Sequence, residues 1–299
     1  MVAPIETQLR LEKFEENLYR STEKLWKPPN ARGVFGGVVI AQSLMAAAHT
    51  VPEDFHVHSM HCYFIMAGDA SIPIVYHVER VRDGKSFITR TVQAIQNGRC
   101  IFTTSLSFQH QLKFGVPVIH HQSKYPGQPM PREVGAESFP NSPFSPKSQD
   151  EQEVANGIKV KIILPEKDEW KSQDASERRL RYWMKCDGTI SDPKAHVMGL
   201  AYLSDSHLLG TSVIASGHRF SDVSMMVSLD HSIYFHHPVK ADEWLMHCIE
   251  SPWSGQERGL VVGRFYNQDK VHIATVVQEG LLRLSDKAKS KKLAQAAKL

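Results

Sequence analysis

The stretch that decides the fold is residues 227–280, VSLDHSIYFHHPVKADEWLMHCIESPWSGQERGLVVGRFYNQDKVHIATVVQEG. It contains three short apolar runs rich in β-branched and aromatic residues, at 245–249, 260–266 and 271–277. Two turn-like pairs, Ser254-Gly255 and Gln268-Asp269, separate these runs. This pattern predicts three consecutive strands.

The same pattern occurs 171 residues earlier in the chain. Tyr63-Phe64 matches Tyr234-Phe235 at that offset, and the hairpin signal Asn97-Gly98 aligns with Gln268-Asp269 without a gap. Solenoid repeats have about 20–50 residues, so a repeat of this length is not a solenoid unit. It predicts two similar subdomains side by side, each with its own core.

The first repeat begins with a helix-length segment, residues 36–50, that is apolar on nearly every face and is ended by Pro52. A helix that is apolar all round must be covered by other elements. Four strand-like segments that can cover it follow directly, at 58–66, 72–82, 86–96 and 99–108. One buried helix followed by an antiparallel meander is an α+β unit.

The second repeat has a corresponding helix signal at Asp192-Pro193, an N-cap followed by proline at the first helical position. We predict a helix to about residue 202, which leaves Asp205 at the end of a buried helix. The sequence predicts an N-terminal repeat at 1–110, an irregular connection at 111–157, a C-terminal repeat with the candidate site at 158–285, and a flexible tail at 286–299.

Composition limits the class of protein. The 299 residues are 41% hydrophobic and 22% charged, which suits a globular protein of one or two domains. The net charge of +3 is too small to predict nucleic acid binding. The four cysteines lack CxxC spacing, which favours reduced thiols over disulfides. No stretch approaches 18 apolar residues and the first ten contain no apolar block, so we expect neither a membrane span nor a secretion signal.

Several motifs resemble the type II acyl-CoA thioesterase family, and the resemblance covers about residues 8–285. In the second repeat they are SLDHSIYFHHP (228–238), GRFY (263–266) and VQEG (277–280). In the first repeat they are HSMHCYF (58–64) and RDGKSF (82–87). The resemblance implies a double hotdog fold, in which each central helix is wrapped by an antiparallel sheet and the two sheets join edge to edge.

The resemblance also implies an activity, the hydrolysis of fatty acyl-CoA to free fatty acid and coenzyme A. The family holds a water with an Asp, a Ser or Thr, and a Gln, and these positions correspond here to Asp205, Ser228 and Gln278. A thioester carbonyl is electrophilic and a thiolate leaves readily, so the reaction needs mainly an oriented water and a donor for the oxyanion. No Gly-x-Ser-x-Gly elbow surrounds Ser228, which favours a positioning role over a nucleophilic one. No metal or other cofactor is expected.

Other interpretations compete with this one. Gln278 could be an ordinary strand residue, because its repeat counterpart Ser107 is equally polar among apolar neighbours. A hotdog hydratase or dehydratase would need an Asp/His pair, and Asp230-His231 are adjacent but on opposite strand faces. A non-catalytic acyl-CoA-binding protein is the third possibility.

Histidine pairs could also suggest a metal site. On a strand, however, His58 and His61 point to opposite faces, as do His236 and His237, so a metal centre is disfavoured.

Two further features leave their roles open at this point. Gly36-Gly37 could present backbone amides to a carbonyl or phosphate oxygen, or could only allow close packing of the helix. Arg80, Arg82 and Lys85, near the turn at Asp83-Gly84, could contact coenzyme A phosphates or could only be solvated.

The chain ends in Ala297-Lys298-Leu299, which is similar to the Ser-Lys-Leu peroxisomal address. Together with the implied activity, this ending predicts a peroxisomal matrix protein that binds an import receptor. Sheet edges also favour association, so we expect a homo-oligomer.

Overall fold

The computed structural model describes residues 3–29, 31–111, 119–127, 158–163 and 174–290. Most of the predicted connection and the Ala297-Lys298-Leu299 ending lie outside the described residues. Within those ranges the α-helices are α1 (Pro4–Gln8), α2 (Gly36–Ala48), α3 (Pro193–Ser204) and α4 (Gly210–Ala215). The first residues of the predicted flexible tail, 286–290, are also helical. The strands of the first half are β1 (Leu11–Glu15), β2 (Leu18–Ser21), β3 (Phe55–Phe64), β4 (Val75–Asp83), β5 (Phe87–Gln96) and β6 (Arg99–His110). Those of the second half are β7 (Ile158–Ile163), β8 (Arg179–Cys186), β9 (Val223–Ser228), β10 (Asp230–Phe235), β11 (Leu245–Gly255), β12 (Arg258–Tyr266) and β13 (His272–Leu284).

All these strands form one sheet, in the order β1-β2-β4-β5-β6-β3-β10-β13-β12-β11-β8-β7, with β9 also paired to β13. Every pairing is antiparallel. The two halves meet at the centre, where Ser232 of β10 pairs with His61 of β3. The sheet is therefore continuous across the repeat boundary.

The two long helices pack against each other inside this sheet. Residues Ile40, Ala41, Ala46 and Ala47 of α2 are all 0% exposed, as the apolar pattern of this segment predicts. The N-terminal end of α2 lies beside the C-terminal end of α3, so the helices run antiparallel. The predicted α+β double hotdog is confirmed.

One feature goes beyond the sequence-based prediction and another differs from it. The charged segment before α2, for which we predict no element, forms the strands β1 and β2. The turn predicted at Ser254-Gly255 is wrong, because β11 continues through Gly255 and the chain reverses at Gln256 and Glu257, with φ of 50° and 59°. These two residues adopt a conformation that Asn or Gly usually occupies. A hydrogen bond from the Leu282 amide to the Glu257 carbonyl, at 2.7 Å, holds the turn.

The repeat is also less regular than the alignment predicts. Gly36 and Pro193, the first residues of α2 and α3, are 157 positions apart rather than 171. The difference arises because the second half carries two additional elements, α4 and β9, between its long helix and β10. Among the described helices, none is long and apolar enough to cross a membrane.

Candidate active site

The three residues predicted for the site lie together at the junction between α3 and the sheet. Gln278 Nε2 donates a hydrogen bond to Asp205 Oδ1 at 2.8 Å. The same nitrogen is 3.1 Å from Ser228 Oγ. The three side chains are therefore within direct hydrogen-bonding contact of one another.

Each of the three side chains is placed by a different element. Asp205 is the C-cap of α3, where the apolar helix pattern ends. Ser228 is the last residue of β9, and Gln278 is a fully buried residue of β13. An amide buried this deeply must be hydrogen-bonded, because an unpaired buried polar group is costly.

A β-bulge lies where β9 passes into β10. Ser228 pairs with Gly280 of β13, and Ser232 pairs with Val277. Four steps along one strand (232 minus 228) thus face three steps along the other (280 minus 277). One extra residue at this point breaks the regular alternation of side chains.

The bulge turns two side chains toward Gln278. Ser228 and His231 are three positions apart and would point to opposite faces of a regular strand. With the extra residue between them, both contact the Gln278 amide, at 3.1 Å each. Asp230 supports the bulge, because its carboxylate accepts a hydrogen bond from the Glu279 amide at 2.7 Å.

The first half of the chain closes the site from the other side. A Cβ on Gly36 would lie 2.7 Å from Asp205 Oδ2 and 2.9 Å from the Phe64 ring. The Gly37 amide donates a hydrogen bond to the Asp205 carboxylate. A Cβ on Gly37 would lie 2.6 Å from the Tyr202 carbonyl oxygen. The two glycines therefore serve close packing, and one also contributes a backbone donor.

Burial raises the pKa of Asp205 above its ordinary value of 3.8, and hydrogen bonds from Gln278 and Gly37 offset part of that rise. A carboxylate with a raised pKa is a stronger base than an exposed one. Since Oδ1 is engaged by Gln278, Oδ2 is the oxygen that faces the space beside Gly36.

Sequence reasoning missed two residues behind this site, His231 and Ser204, both 0% exposed. His231 Nε2 is 2.9 Å from Ser204 Oγ, and His231 Nδ1 is 3.1 Å from Gln278 Nε2. His231 stands inside the motif at 228–238, but its direction depends on the bulge. No pattern of alternation in the sequence indicates that extra residue.

Comparisons with known proteins identify the family of this chain. The sequence model of the family described as "Acyl-CoA thioesterase" matches residues 159–281, and that of the "Acyl-CoA thioesterase N-terminal domain" matches residues 24–109. Acyl-coenzyme A thioesterase 8 of Mus musculus is 38% identical, over 95% of this chain and 90% of its own length. The crystal structure of the acyl-CoA thioesterase II TesB2 from Mycobacterium marinum is similar with a TM-score of 0.75 at 34% identity, covering 94% of this chain and 98% of that chain. This chain belongs to the type II acyl-CoA thioesterase family.

A further relative of this thioesterase family comes from Saccharomyces cerevisiae. It is named peroxisomal acyl-coenzyme A thioester hydrolase 1, and it is 29% identical over 85% of this chain and 86% of its own length.

The histidine pairs of this family member are engaged in other contacts. His58 Nε2 is 2.8 Å from Ser107 Oγ, and His61 Nδ1 is 3.0 Å from Ser232 Oγ. Within the part of the chain that the structure describes, no group of three or more His, Cys, Asp or Glu side chains is arranged to hold a metal ion.

The basic residues near Asp83-Gly84 lie far from the thioesterase site. Arg80 and Lys85 line an open cleft of about 650 Å³ at the C-terminal end of α2. Asp205 lies at the opposite end of that helix, which is about 20 Å long at 1.5 Å per residue. These side chains therefore cannot contact the atoms around Asp205.

Proposed function

We propose that this protein is a thioesterase that hydrolyses fatty acyl-CoA to free fatty acid and coenzyme A, with a water held by Asp205, Ser228 and Gln278. The observation that carries the proposal is that Asp205 Oδ1 and Ser228 Oγ both contact the amide nitrogen of Gln278, at 2.8 and 3.1 Å. The family supports the substrate class, and the geometry supports the roles of the residues.

In the proposed reaction, Asp205 Oδ2 takes a proton from the water as the water oxygen attacks the thioester carbonyl carbon. The carbonyl oxygen becomes an oxyanion beside the N-terminal end of α2, where the helix dipole favours negative charge. The intermediate then collapses with cleavage of the carbon–sulfur bond. The thiolate of coenzyme A recovers the proton from Asp205, which regenerates the carboxylate.

Ser228 orients this water through its hydroxyl. Gln278 Nε2 carries no lone pair for a hydrogen bond, so Ser228 cannot donate to it. The Ser228 hydrogen is therefore directed toward the water or the substrate, and its oxygen accepts from the Gln278 amide.

The hydratase or dehydratase alternative lacks a matching geometry. The Asp230 carboxylate is engaged by the Glu279 amide, and both nitrogens of His231 contact protein groups inside the core. Neither side chain is placed to move a proton at a substrate carbon.

The function is tested by release of free thiol from palmitoyl-CoA, comparing the wild-type protein with Asp205→Asn. Only a thioesterase releases coenzyme A, so a hydratase or a binding protein would give no signal. We expect Asp205→Asn to lower kcat by about 10² or more with KM nearly unchanged, because the lost group acts on water in the transition state. A folded Asp205→Asn protein with near-normal kcat would contradict the proposed mechanism.

We further propose that the protein acts in the peroxisomal matrix and is delivered by an import receptor that reads Ala297-Lys298-Leu299. The small-basic-leucine pattern supports this proposal, as does the name of the yeast relative.

Deleting residues 297–299 from a protein with an N-terminal fluorescent tag should change a punctate peroxisomal distribution to a diffuse cytosolic one. Purified enzyme should keep its activity, because the deleted residues are not among those that form the site. The matched control is Ala297→Ser, which makes the ending Ser-Lys-Leu and should stay punctate. Puncta that persist after the deletion would show that import uses another signal.

A further inference from the structure

A continuous chain of hydrogen bonds runs from α3 through His231 to Gln278. Ser204 Oγ donates to the Ala201 carbonyl oxygen at 2.7 Å. His231 Nε2 lies 2.9 Å from Ser204 Oγ, and His231 Nδ1 lies 3.1 Å from Gln278 Nε2. Ser204, His231 and Gln278 are all 0% exposed, so water does not compete for these groups.

The donor and the acceptor of each hydrogen bond in this series follow from the bond between Ser204 and the Ala201 carbonyl. The single Ser204 hydroxyl hydrogen is given to a carbonyl, so Ser204 Oγ can only accept from His231 Nε2. His231 therefore carries its proton on Nε2 and has a lone pair on Nδ1. That lone pair requires a donor, and the Gln278 amide group supplies it.

Two independent neighbours thus demand the same orientation of the Gln278 side chain. Asp205 Oδ1 and His231 Nδ1 are both acceptors, and both contact Nε2. Rotating the amide by 180° would place its carbonyl oxygen against a carboxylate oxygen and a ring lone pair. In the observed orientation, Gln278 Oε1 is buried and accepts no hydrogen bond from a described residue.

We propose that His231, held by Ser204, is a positioning residue that fixes the carboxamide orientation of Gln278. This inference rests on the proposed function. With the amide fixed, Asp205 receives an N–H from Gln278, and Gln278 Oε1 is left as an acceptor for a hydrogen of the water. Burial lowers the pKa of His231 to about 3, so the ring stays neutral and Nδ1 keeps its lone pair at ordinary pH.

The fixed amide also controls the basicity of Asp205. The hydrogen bond from Gln278 lowers the pKa of this carboxyl against the effect of burial, which raises it. Losing the bond would raise the pKa further. The acid limb of kcat/KM, where Asp205 becomes protonated, would then move to higher pH.

Other titratable groups near the site are neutral or titrate in the acid range, so the limb is compared between variant, control and wild type. Burial raises the pKa of the Cys62 thiol and of the Tyr202 hydroxyl, so both stay neutral. Burial lowers the pKa of His207 to about 4 and that of His247 well below its ordinary value. Burial also raises the pKa of Asp230, whose carboxylate accepts a hydrogen bond from the Glu279 backbone amide.

The test replaces His231 by Phe, which keeps a ring but removes the acceptor. We expect kcat to fall about 10- to 100-fold with KM within about twofold, and the acid limb to shift to higher pH. In a Gln278→Ala background, His231→Phe should change neither quantity, because the amide it positions is gone. The matched control is His247→Phe, since neither nitrogen of this equally buried histidine has a hydrogen-bond partner among the described residues, and the substitution should leave kcat and the limb unchanged.

A second pair of variants covers the case in which His231→Phe fails to fold. Ser204→Ala should shift the acid limb in the same direction, because the ring can then move its proton to Nδ1 and repel the amide. Ser43→Ala is its control, because Ser43 is a buried serine of α2 whose hydroxyl has no hydrogen-bond partner within the part of the chain that the structure describes. A normal kcat and limb in folded Ser204→Ala or His231→Phe would overturn the inference. So would an equal loss in the Gln278→Ala background, which indicates a purely structural effect. A near-normal kcat in folded Asp205→Asn, or the absence of thiol release by the wild type, would instead refute the proposed function.

Discussion

Gln278 is the residue on which the candidate site depends, because its one amide nitrogen contacts an aspartate, a serine and a histidine. Two amide hydrogens cannot satisfy three acceptors fully, so the contacts share them. This arrangement leaves the Ser228 hydrogen and Asp205 Oδ2 directed at the substrate side. Side-chain identity alone suggests none of this division of roles.

Gly36 is the residue at which a single methyl group should close the site. Its added Cβ would lie 2.7 Å from Asp205 Oδ2, in the space that we assign to the attacking water. We expect Gly36→Ala to lower kcat/KM with palmitoyl-CoA by about tenfold or more. The free energy of unfolding should also fall, because Asp205 and the Phe64 ring must shift to admit the methyl group, so kcat/KM is compared on folded protein.

The control for this prediction is Gly255→Ala, at the last residue of β11. Its Cβ would approach the Trp253 side chain at 3.1 Å, and that side chain is 41% exposed, so it has room to shift. Its kcat/KM should match the wild type. Full activity in Gly36→Ala would show that the water does not occupy this space.

At the scale of elements, the bulge between β9 and β10 decides which side chains enter the site. The Asp230 carboxylate accepts from the Glu279 amide at 2.7 Å and so takes the place of a lost ladder hydrogen bond. We expect Asp230→Ala to lower kcat about tenfold, because Ser228 and His231 lose their common direction. Asp230→Asn keeps an acceptor oxygen and should retain most of kcat in the same thiol-release assay. If Asn lowers kcat as far as Ala does, the carboxylate has a role other than supporting the bulge.

At the opposite end of the helix pair, the N-terminal end of α3 is covered by another part of the chain. The Glu6 carboxylate accepts hydrogen bonds from the Ser191 and Asp192 amides, both at 2.9 Å, just before α3. The first residues of the chain thus cover the N-terminal end of α3. At the N-terminal end of α2 the corresponding carboxylate is that of Asp205, which accepts a hydrogen bond from the Gly37 amide.

At the scale of the whole molecule, the site belongs to both repeats. Gly36, Gly37 and Phe64 come from the first half, whereas Asp205, Ser228 and Gln278 come from the second. The halves also share the β3–β10 pairing and the contact between α2 and α3. A half on its own would expose these surfaces. The predicted homo-oligomer stays a prediction, because it concerns contacts outside a single chain.

We therefore predict that the halves unfold together. Trp26→Phe leaves tryptophan only in the second half, at positions 170, 183, 244 and 253. In urea, the fluorescence of this variant and the far-UV circular dichroism of the whole chain should give coincident transitions. Wild-type protein serves as the control for the substitution. Two separated midpoints would show that each repeat is a cooperative unit of its own.

The sequence by itself determined the architecture and supplied three candidate site residues. The apolar helix at 36–50, the alternating strands and the repeat are local patterns, and burial enforces them because each element must cover an apolar face. Asp205, Ser228 and Gln278 were found by their resemblance to a family motif. The interruption of an apolar pattern by a polar residue does not identify such positions alone, because Ser107 interrupts its own strand in the same way as Gln278.

Only the tertiary structure decided how these residues act together. His231 and Ser204 join the site because one extra residue in the bulge changes the face of the strand to which the following side chains point. Side-chain alternation in the sequence cannot show where such a residue falls. Gly36 approaches Asp205 because the two long helices pack antiparallel, which depends on contacts between residues 169 positions apart (205 minus 36). The turn at Gln256 and Glu257 likewise depends on a hydrogen bond from Leu282. Long-range pairing, and not local preference, sets each of these features.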